Sequence, residues 1–166
     1  MATFRIPIMG FGTKPDTSGD VFFEPESVKY SNALNDVLLG VFNDTATRIG
    51  LALKFKVPVN YVDNPKLIIT WSSTATSGDV EWDYDYTSIA IGETLDPAAA
   101  QRSINQNDTA PGSSLFMLEA ELAMTNTDLA AKDLCKGVLF RDGTDAGDTM
   151  TASAIIETIE FEYTDA

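Results

Sequence analysis

Histidine is absent from this chain of 166 residues, and basic residues are few. The missing imidazole removes the commonest general base, the commonest zinc ligand and every Ser-His or Cys-His mechanism. Lys and Arg total 11 against 25 Asp and Glu, so the formal net charge is −14. Because binding to nucleic acid or to anionic lipid needs a basic stripe or cluster, this charge balance argues against both partners.

Cysteine and long apolar runs are equally scarce. Cys135 is the only cysteine, so no intramolecular disulfide can form, and its strand-like surroundings predict a packed side chain rather than a reactive thiol. The longest apolar stretches, such as 37–42, fall far short of the ~20 residues of a membrane span. Residues 1–7 contain no apolar export signal. We therefore expect a protein that is made in a cytoplasm and has no membrane partner.

Apolar and polar residues alternate over many short segments of the chain. Val80, Trp82, Tyr84 and Tyr86 share one face of a predicted strand, and further predicted strands cover 4–9, 27–30, 36–42, 48–56, 66–73, 116–124, 134–141 and 155–163. Turn-forming Gly, Pro, Asp and Asn separate them. This spacing predicts an all-β fold, a single jelly-roll-like β-sandwich of about eight or nine strands over residues 1–166. Short helices are predicted only at 98–102 and 128–133.

The aromatic stripe of Trp82, Tyr84 and Tyr86, with Trp71 near it, has two interpretations. It could be a surface platform on which sugar rings stack. Aromatic residues at period two more often face the opposing sheet of a sandwich, and we favour a place in the core.

Three carboxylates, Glu81, Asp83 and Asp85, lie on the opposite face of the same strand. Alternate residues of a strand are roughly 7 Å apart, which suits the acid pair of a glycoside hydrolase. Acidic residues are also ordinary on an outward strand face, and nothing in the sequence indicates a raised pKa. We therefore expect no catalytic residues and no enzyme.

Asp142, Asp145 and Asp148 recur at a spacing of three with glycines between them. Such a loop could wrap a calcium ion with oxygen ligands, but its spacing is not that of an EF-hand. The other interpretation is a solvated loop in which aspartates cap turns. We favour the solvated loop, and we expect neither a metal nor a cofactor.

Several segments resemble small β-sandwich structural proteins of tailed-bacteriophage virions. The C-terminal part of the resemblance lies in the segments 131–133, 138–145, 148–149 and 160–163, and the upstream part in 14–16, 58–61, 71–82 and 105–111. The resemblance spans most of the chain and implies a non-enzymatic virion protein with no catalytic residues to transfer.

Within that group, the absence of a coiled-coil, collagen-like or β-helical stem favours a compact module over a free-standing fibre. The resemblance then implies a capsid decoration or cement protein on the outer surface of the head. It would bridge subunits of the major capsid protein, or another virion protein, as a cyclic homotrimer. The alternative is a receptor-binding knob of a head fibre, tail fibre or spike that binds host surface carbohydrate. A carbohydrate-active enzyme comes third.

Phe11, Phe22 and Phe23 are crowded among Gly and Pro in a predicted loop. Exposed apolar clusters often mark contact surfaces, so these residues are the candidate capsid interface. The other interpretation is a loop that folds back onto the core.

Overall fold

A computed structural model describes residues 1–8, 21–22, 26–28, 37–96 and 102–165 of the chain. Nearly all regular structure in these ranges is β. The strands are β1 (Thr3–Pro7), β2 (Val21–Phe22), β3 (Glu26–Val28), β4 (Val37–Phe42), β5 (Arg48–Lys56), β6 (Tyr61–Ser73), β7 (Asp79–Ile89), β8 (Arg102–Thr109), β9 (Leu118–Ala123), β10 (Leu134–Asp142) and β11 (Ala154–Asp165). Within the same ranges, no helix is long and apolar enough to cross a membrane.

The strands form two sheets that pack face to face. One sheet has the order β3-β4-β11-β6-β9, and β1 pairs with the part of β11 beyond β4. The other has the order β2-β5-β10-β7-β8. All pairings are antiparallel except that of β2 with β5. The predicted all-β sandwich is confirmed.

Aromatic side chains join the two sheets in the core. Trp71 on β6 and Trp82 on β7 are both 0% exposed, and their rings meet edge to face with centroids 5.9 Å apart. Phe42 on β4 meets the same Trp82 ring edge to face at 5.6 Å. Edge-to-face geometry is the favoured arrangement of aromatic pairs, and it adds to the stabilisation from burial. The indole rings are therefore the centre of the core, as the alternation predicts.

An ion pair is also buried beside this core. Arg141 is 1% exposed, and its guanidinium binds both carboxylate oxygens of Asp148 at 2.8 and 2.7 Å. The same guanidinium donates to the backbone carbonyls of Phe42, Met150 and Ala152. This ion pair fixes the loop between β10 and β11 against the end of β4.

The strand β8 was not predicted, because the segment Arg102–Thr109 is polar at almost every position. Within the described ranges it is an edge strand, hydrogen-bonded to β7, and most of its side chains remain in solvent. The strand β2 was also not predicted. The described ranges therefore contain more strands than the eight or nine expected.

The helix predicted at 128–133 is wrong. A single 3₁₀ turn forms at Asn126–Asp128, and the chain then turns through Lys132, whose φ is +76°. The N–H of Lys132 donates to the carbonyl of Val57, and the N–H of Val57 donates to the carbonyl of Asp133. These backbone hydrogen bonds between two distant segments take the place of helical ones, and they continue the pairing of β5 with β10. The other predicted helix, 98–102, lies almost wholly outside the described residues.

Candidate functional site

The aromatic stripe offers no surface to a ligand. Trp71, Trp82, Tyr84 and Tyr86 are at most 1% exposed, so the predicted place in the core is confirmed. A platform for stacking sugar rings cannot be built from these four residues.

The three carboxylates of β7 point away from the core, as predicted, but they are not free in solvent. Glu81 is 5% exposed and accepts hydrogen bonds from Nδ2 of Asn105 at 2.7 Å and of Asn107 at 3.0 Å. Both asparagines lie on the neighbouring strand β8 in register with β7. The hydrogen-bonding capacity of Glu81 is thus largely used inside the sheet.

Arg48 holds the other two carboxylates of this face. Its Nη2 lies 2.9 Å from Asp83 and 3.4 Å from Asp85, and its Nε lies 3.3 Å from Asp142. The guanidinium carbon stands 3.9 Å above the ring centre of Phe140, a cation–π contact. This guanidinium therefore occupies the space between the three carboxylates.

Burial raises the pKa of Asp83 to about 6, and the adjacent Asp142 carboxylate adds to the rise while Arg48 opposes it. The pKa of Asp142 is lowered, because hydrogen bonds from Thr144 and the charge of Arg48 outweigh burial. A carboxyl that titrates near neutrality is a feature of acid–base catalysts and also of internal ion-pair networks. The contacts of Arg48 make this group an ion-pair network.

The loop aspartates have different partners. Asp142 accepts the N–H of Thr144 at 2.9 Å, Asp145 accepts the N–H of Gly147 at 2.7 Å, and Asp148 is bound by Arg141. Asp142 and Asp145 therefore cap turns. Among the described residues, no group of three His, Cys, Asp or Glu side chains is arranged to hold a metal ion.

The candidate capsid interface lies almost wholly outside the described residues. Phe11 and Phe23 are not described, and Phe22 is described only as backbone of β2. Cys135, by contrast, lies on β10 and is 0% exposed. The predicted packing of this cysteine is confirmed, and burial raises the pKa of its thiol to about 12.

A surface groove at one end of the sandwich was not predicted. We call it the lysine groove. Its volume is about 290 Å³, and it is lined by Lys56, Ile89, Ala90, Ile91, Gly92, Glu93, Leu95, Lys132 and Leu134. Strand pairing builds its floor, since Leu134 on β10 lies opposite Lys56 on β5 and Ile89 on β7.

The loop after β7 forms one wall of the lysine groove. It turns at Gly92, whose φ is +100°, and the N–H of Glu93 donates to the carbonyl of Ala90 at 3.2 Å. The ammonium group of Lys136 donates a hydrogen bond to the carbonyl of Leu95. The exposed side chains of Ile91 and Leu95 are therefore held by a wall that is tied to the sheet.

Four lysines surround this end of the sandwich. Lys54 and Lys136 are register partners across β5 and β10, and Lys56 and Lys132 line the groove. They are four of the seven lysines of the chain. Among the described residues, none of the four forms an ion pair. The lysine groove thus combines exposed ammonium groups with an aliphatic lining.

Two carboxylates near the lysine groove are occupied by local hydrogen bonds. Glu93 accepts the N–H of Ala90 at 2.9 Å, and Asp133 accepts the hydroxyl of Ser88 at 3.0 Å and the N–H of Ala130 at 3.2 Å. The opposite end of the same sheet carries Asp142 and Asp148 with their arginine partners. The lysines of one end therefore have no ion-pair partner among the described residues, whereas the arginines Arg48 and Arg141 at the other end are bound to carboxylates.

Part of this site was visible in the sequence. Lys54 and Lys56 alternate with Leu53 and Phe55, which places both lysines on the outward face of a predicted strand. The sequence does not indicate that β10 pairs with β5, or that residues 90–95 stand beside them. Only that pairing brings Lys132 and Lys136 to the same end.

Comparison with known proteins finds no matching family model and no matching curated protein. Among solved structures, the chain is similar to a CBM35 from Cellvibrio japonicus Abf62 at 10% identity, covering 99% of this chain and 95% of that one, with a TM-score of 0.45. It is also similar to an arabinose-bound MgGH51 α-L-arabinofuranosidase at 13% identity, covering 95% of this chain and 22% of that one, with a TM-score of 0.41. At such TM-scores, neither similarity bears on what this chain binds.

Proposed function

We propose that this chain is a non-enzymatic structural protein of a tailed-bacteriophage virion, a decoration protein that attaches to the outer surface of the head. The observation that carries the proposal is the clustering of lysines. A chain with a net charge of −14 gathers four of its seven lysines, none of them ion-paired within the described residues, beside an aliphatic groove at one end of the sandwich. An acidic surface would attract that end and repel the rest of the molecule.

The proposal also draws on the sequence resemblance and on the occupied carboxylates. The carboxylates that could act in an enzyme form ion pairs within the protein, since Arg48 binds Asp83 and Asp85 and Arg141 binds Asp148. Contact area spread over neighbouring capsid subunits adds binding free energy to the closed shell, and a shell stiffened in this way resists the pressure of packaged DNA. A homotrimer at a local threefold axis would place three lysine grooves on one junction.

The alternative function is a receptor-binding knob for host carbohydrate, which would have to bind sugar without the two tryptophans. Stacking on sugar rings needs exposed aromatic faces, and both tryptophans are 0% exposed. The knob remains the competing outcome of the test below.

Pelleting with capsids tests the proposal. Purified protein is mixed with capsids that lack it, and the bound amount is measured as the protein concentration rises. The proposal predicts saturation at a fixed ratio to the major capsid protein, together with greater resistance of the capsids to heat and osmotic shock. Failure to bind capsids, combined with adsorption of the protein to host cells, would contradict decoration and favour the knob.

A further inference from the structure

We infer that the lysine groove binds a peptide segment that carries both carboxylate and aliphatic side chains. The identity of the partner, a protein of the head surface, rests on the proposed function. The chemistry of the groove comes from its own residues.

The lysines at the rim select negative charge. Lys56 and Lys132 both line the groove and are exposed, and neither forms an ion pair with the described residues. Glu93 also lines the groove and brings one negative charge to it, but it accepts the N–H of Ala90, and Asp133 accepts the hydroxyl of Ser88. Neither carboxylate forms an ion pair with Lys56 or Lys132. A carboxylate of the partner can therefore bind these two ammonium groups without displacing a carboxylate that is already bound to them.

The lining selects aliphatic side chains rather than sugar rings. Ile91 is 86% exposed and Leu95 is 64% exposed, and Leu134 lies between the strands that carry Lys56 and Ile89. None of the described residues that line the groove is aromatic. Burial of aliphatic surface rewards Leu, Ile or Val side chains of a partner, whereas a polysaccharide finds no ring on which to stack. An acidic peptide is thus favoured over an acidic polysaccharide.

The size of the groove agrees with a peptide. Its volume of about 290 Å³ lies at the lower limit for sites that enclose whole small molecules. One or two side chains of a segment that runs across the end of the sandwich can fill such a space. The bond from Lys136 to the carbonyl of Leu95 holds the wall in place, which lowers the entropy lost on binding.

The test uses the full chain and a short labelled peptide that alternates Glu and Leu, with binding followed by fluorescence anisotropy. Two further peptides replace Glu by Gln or Leu by Ser. Polygalacturonate serves as the polysaccharide probe. The variants are K56Q/K132Q for the rim and L95N for the wall, and the control is K66Q. Lys66 lies on the other sheet, on β6, and pairs with Glu121 at 2.6 Å.

We expect the Glu-Leu peptide to bind the wild-type chain, and both replacement peptides to bind more weakly. K56Q/K132Q should weaken binding about tenfold, since each partly exposed ion pair contributes a few-fold. L95N should weaken it severalfold, and K66Q by less than about twofold. Equal binding by wild type and K56Q/K132Q would overturn the inference. The inference would also be overturned if polygalacturonate bound through Lys56 and Lys132 while the peptide did not bind.

Capsid pelleting of the same variants separates this inference from the proposed function. If K56Q/K132Q and L95N bind capsids as tightly as wild type does, the inference fails and head attachment stands. If wild type does not bind capsids but its peptide binding depends on Lys56 and Lys132, the inference stands and head attachment fails.

Discussion

Arg141 and Asp148 form a two-pronged ion pair inside the sandwich, with both side chains 1% exposed. Removing one charge leaves the other buried without a partner, which costs about 3–5 kcal/mol in comparable pairs. We expect Asp148→Asn to lower the free energy of unfolding, measured with urea, by an amount of that order. Asp145→Asn, in the exposed part of the same loop, is the control and should change it by less than about 0.5 kcal/mol. Similar values for the two variants would contradict the structural role of the pair.

Trp82 is the second stability test, because its ring meets both Trp71 and Phe42 in the core. Trp82→Ala should destabilise the protein by roughly 3–5 kcal/mol, since truncation of a buried aromatic leaves a cavity. Phe116→Ala is the matched control, as Phe116 is 65% exposed, and it should leave the unfolding midpoint nearly unchanged. If Trp82→Ala left the unfolding midpoint unchanged but abolished binding to cells, the indole would have to lie on the surface instead.

The pKa of Asp83 predicts how stability depends on pH. Burial raises that pKa from 3.8 to about 6 in the folded protein, so the folded state holds the proton more tightly than the unfolded state does. The resulting stabilisation is complete below pH 3.8 and is lost as the pH rises through about 6. Asp83→Asn lacks this titration.

We therefore compare the unfolding free energies of wild type and Asp83→Asn at several pH values. Between neutral pH and pH 4, the difference should shift in favour of wild type by on the order of 2 kcal/mol. Because Asp142, whose pKa is lowered in the folded state, is coupled to Asp83, the difference between the two proteins reports the titration of this pair of carboxyls. Parallel pH profiles would show that the Asp83 carboxyl is not perturbed.

Calcium should not be needed for folding. The two oxygens of Asp148 are taken by Arg141, and Asp142 and Asp145 accept backbone N–H groups of their own turns. Chelation should shift the melting temperature by less than a few degrees. A large fall that calcium restores and magnesium does not would make this loop a structural metal site.

Oligomeric state is the boldest prediction. The proposed decoration protein should sediment near three times 18.0 kDa, or should reach that state on capsids. Sedimentation equilibrium of the free protein and the stoichiometry on particles together measure this. A species of 18.0 kDa in solution, bound singly on capsids, would contradict the trimer.

The strands with alternating burial could be predicted from the sequence. β5 runs from Arg48 to Lys56 as predicted, and the face of β7 that carries Trp82 is the core face. Apolar alternation arises where one face of a strand is buried, so it reports the core directly. β8 could not be predicted by this rule, because an edge strand with exposed polar side chains has no such alternation.

The candidate site was harder to predict than the fold, since it depends on contacts between distant segments. The role of Arg48 needs the pairing of β5 with β10 and of β10 with β7, which brings Asp142 and Asp83 to one guanidinium. The sequence indicated that Asp83 and Asp85 lie on an outward face, but it did not indicate that Arg48 binds both of them. The lysine groove likewise forms only where three strand ends and two loops meet.

The location of the protein in a reconstruction of the virus particle is the decisive measurement. If the protein decorates the head, density for the sandwich lies on the outer surface of the head, with Lys56 and Lys132 facing the capsid shell and Asp145 facing solvent. Density at the tip of a tail fibre or spike, or on the head with the lysine groove turned to solvent, would contradict this account.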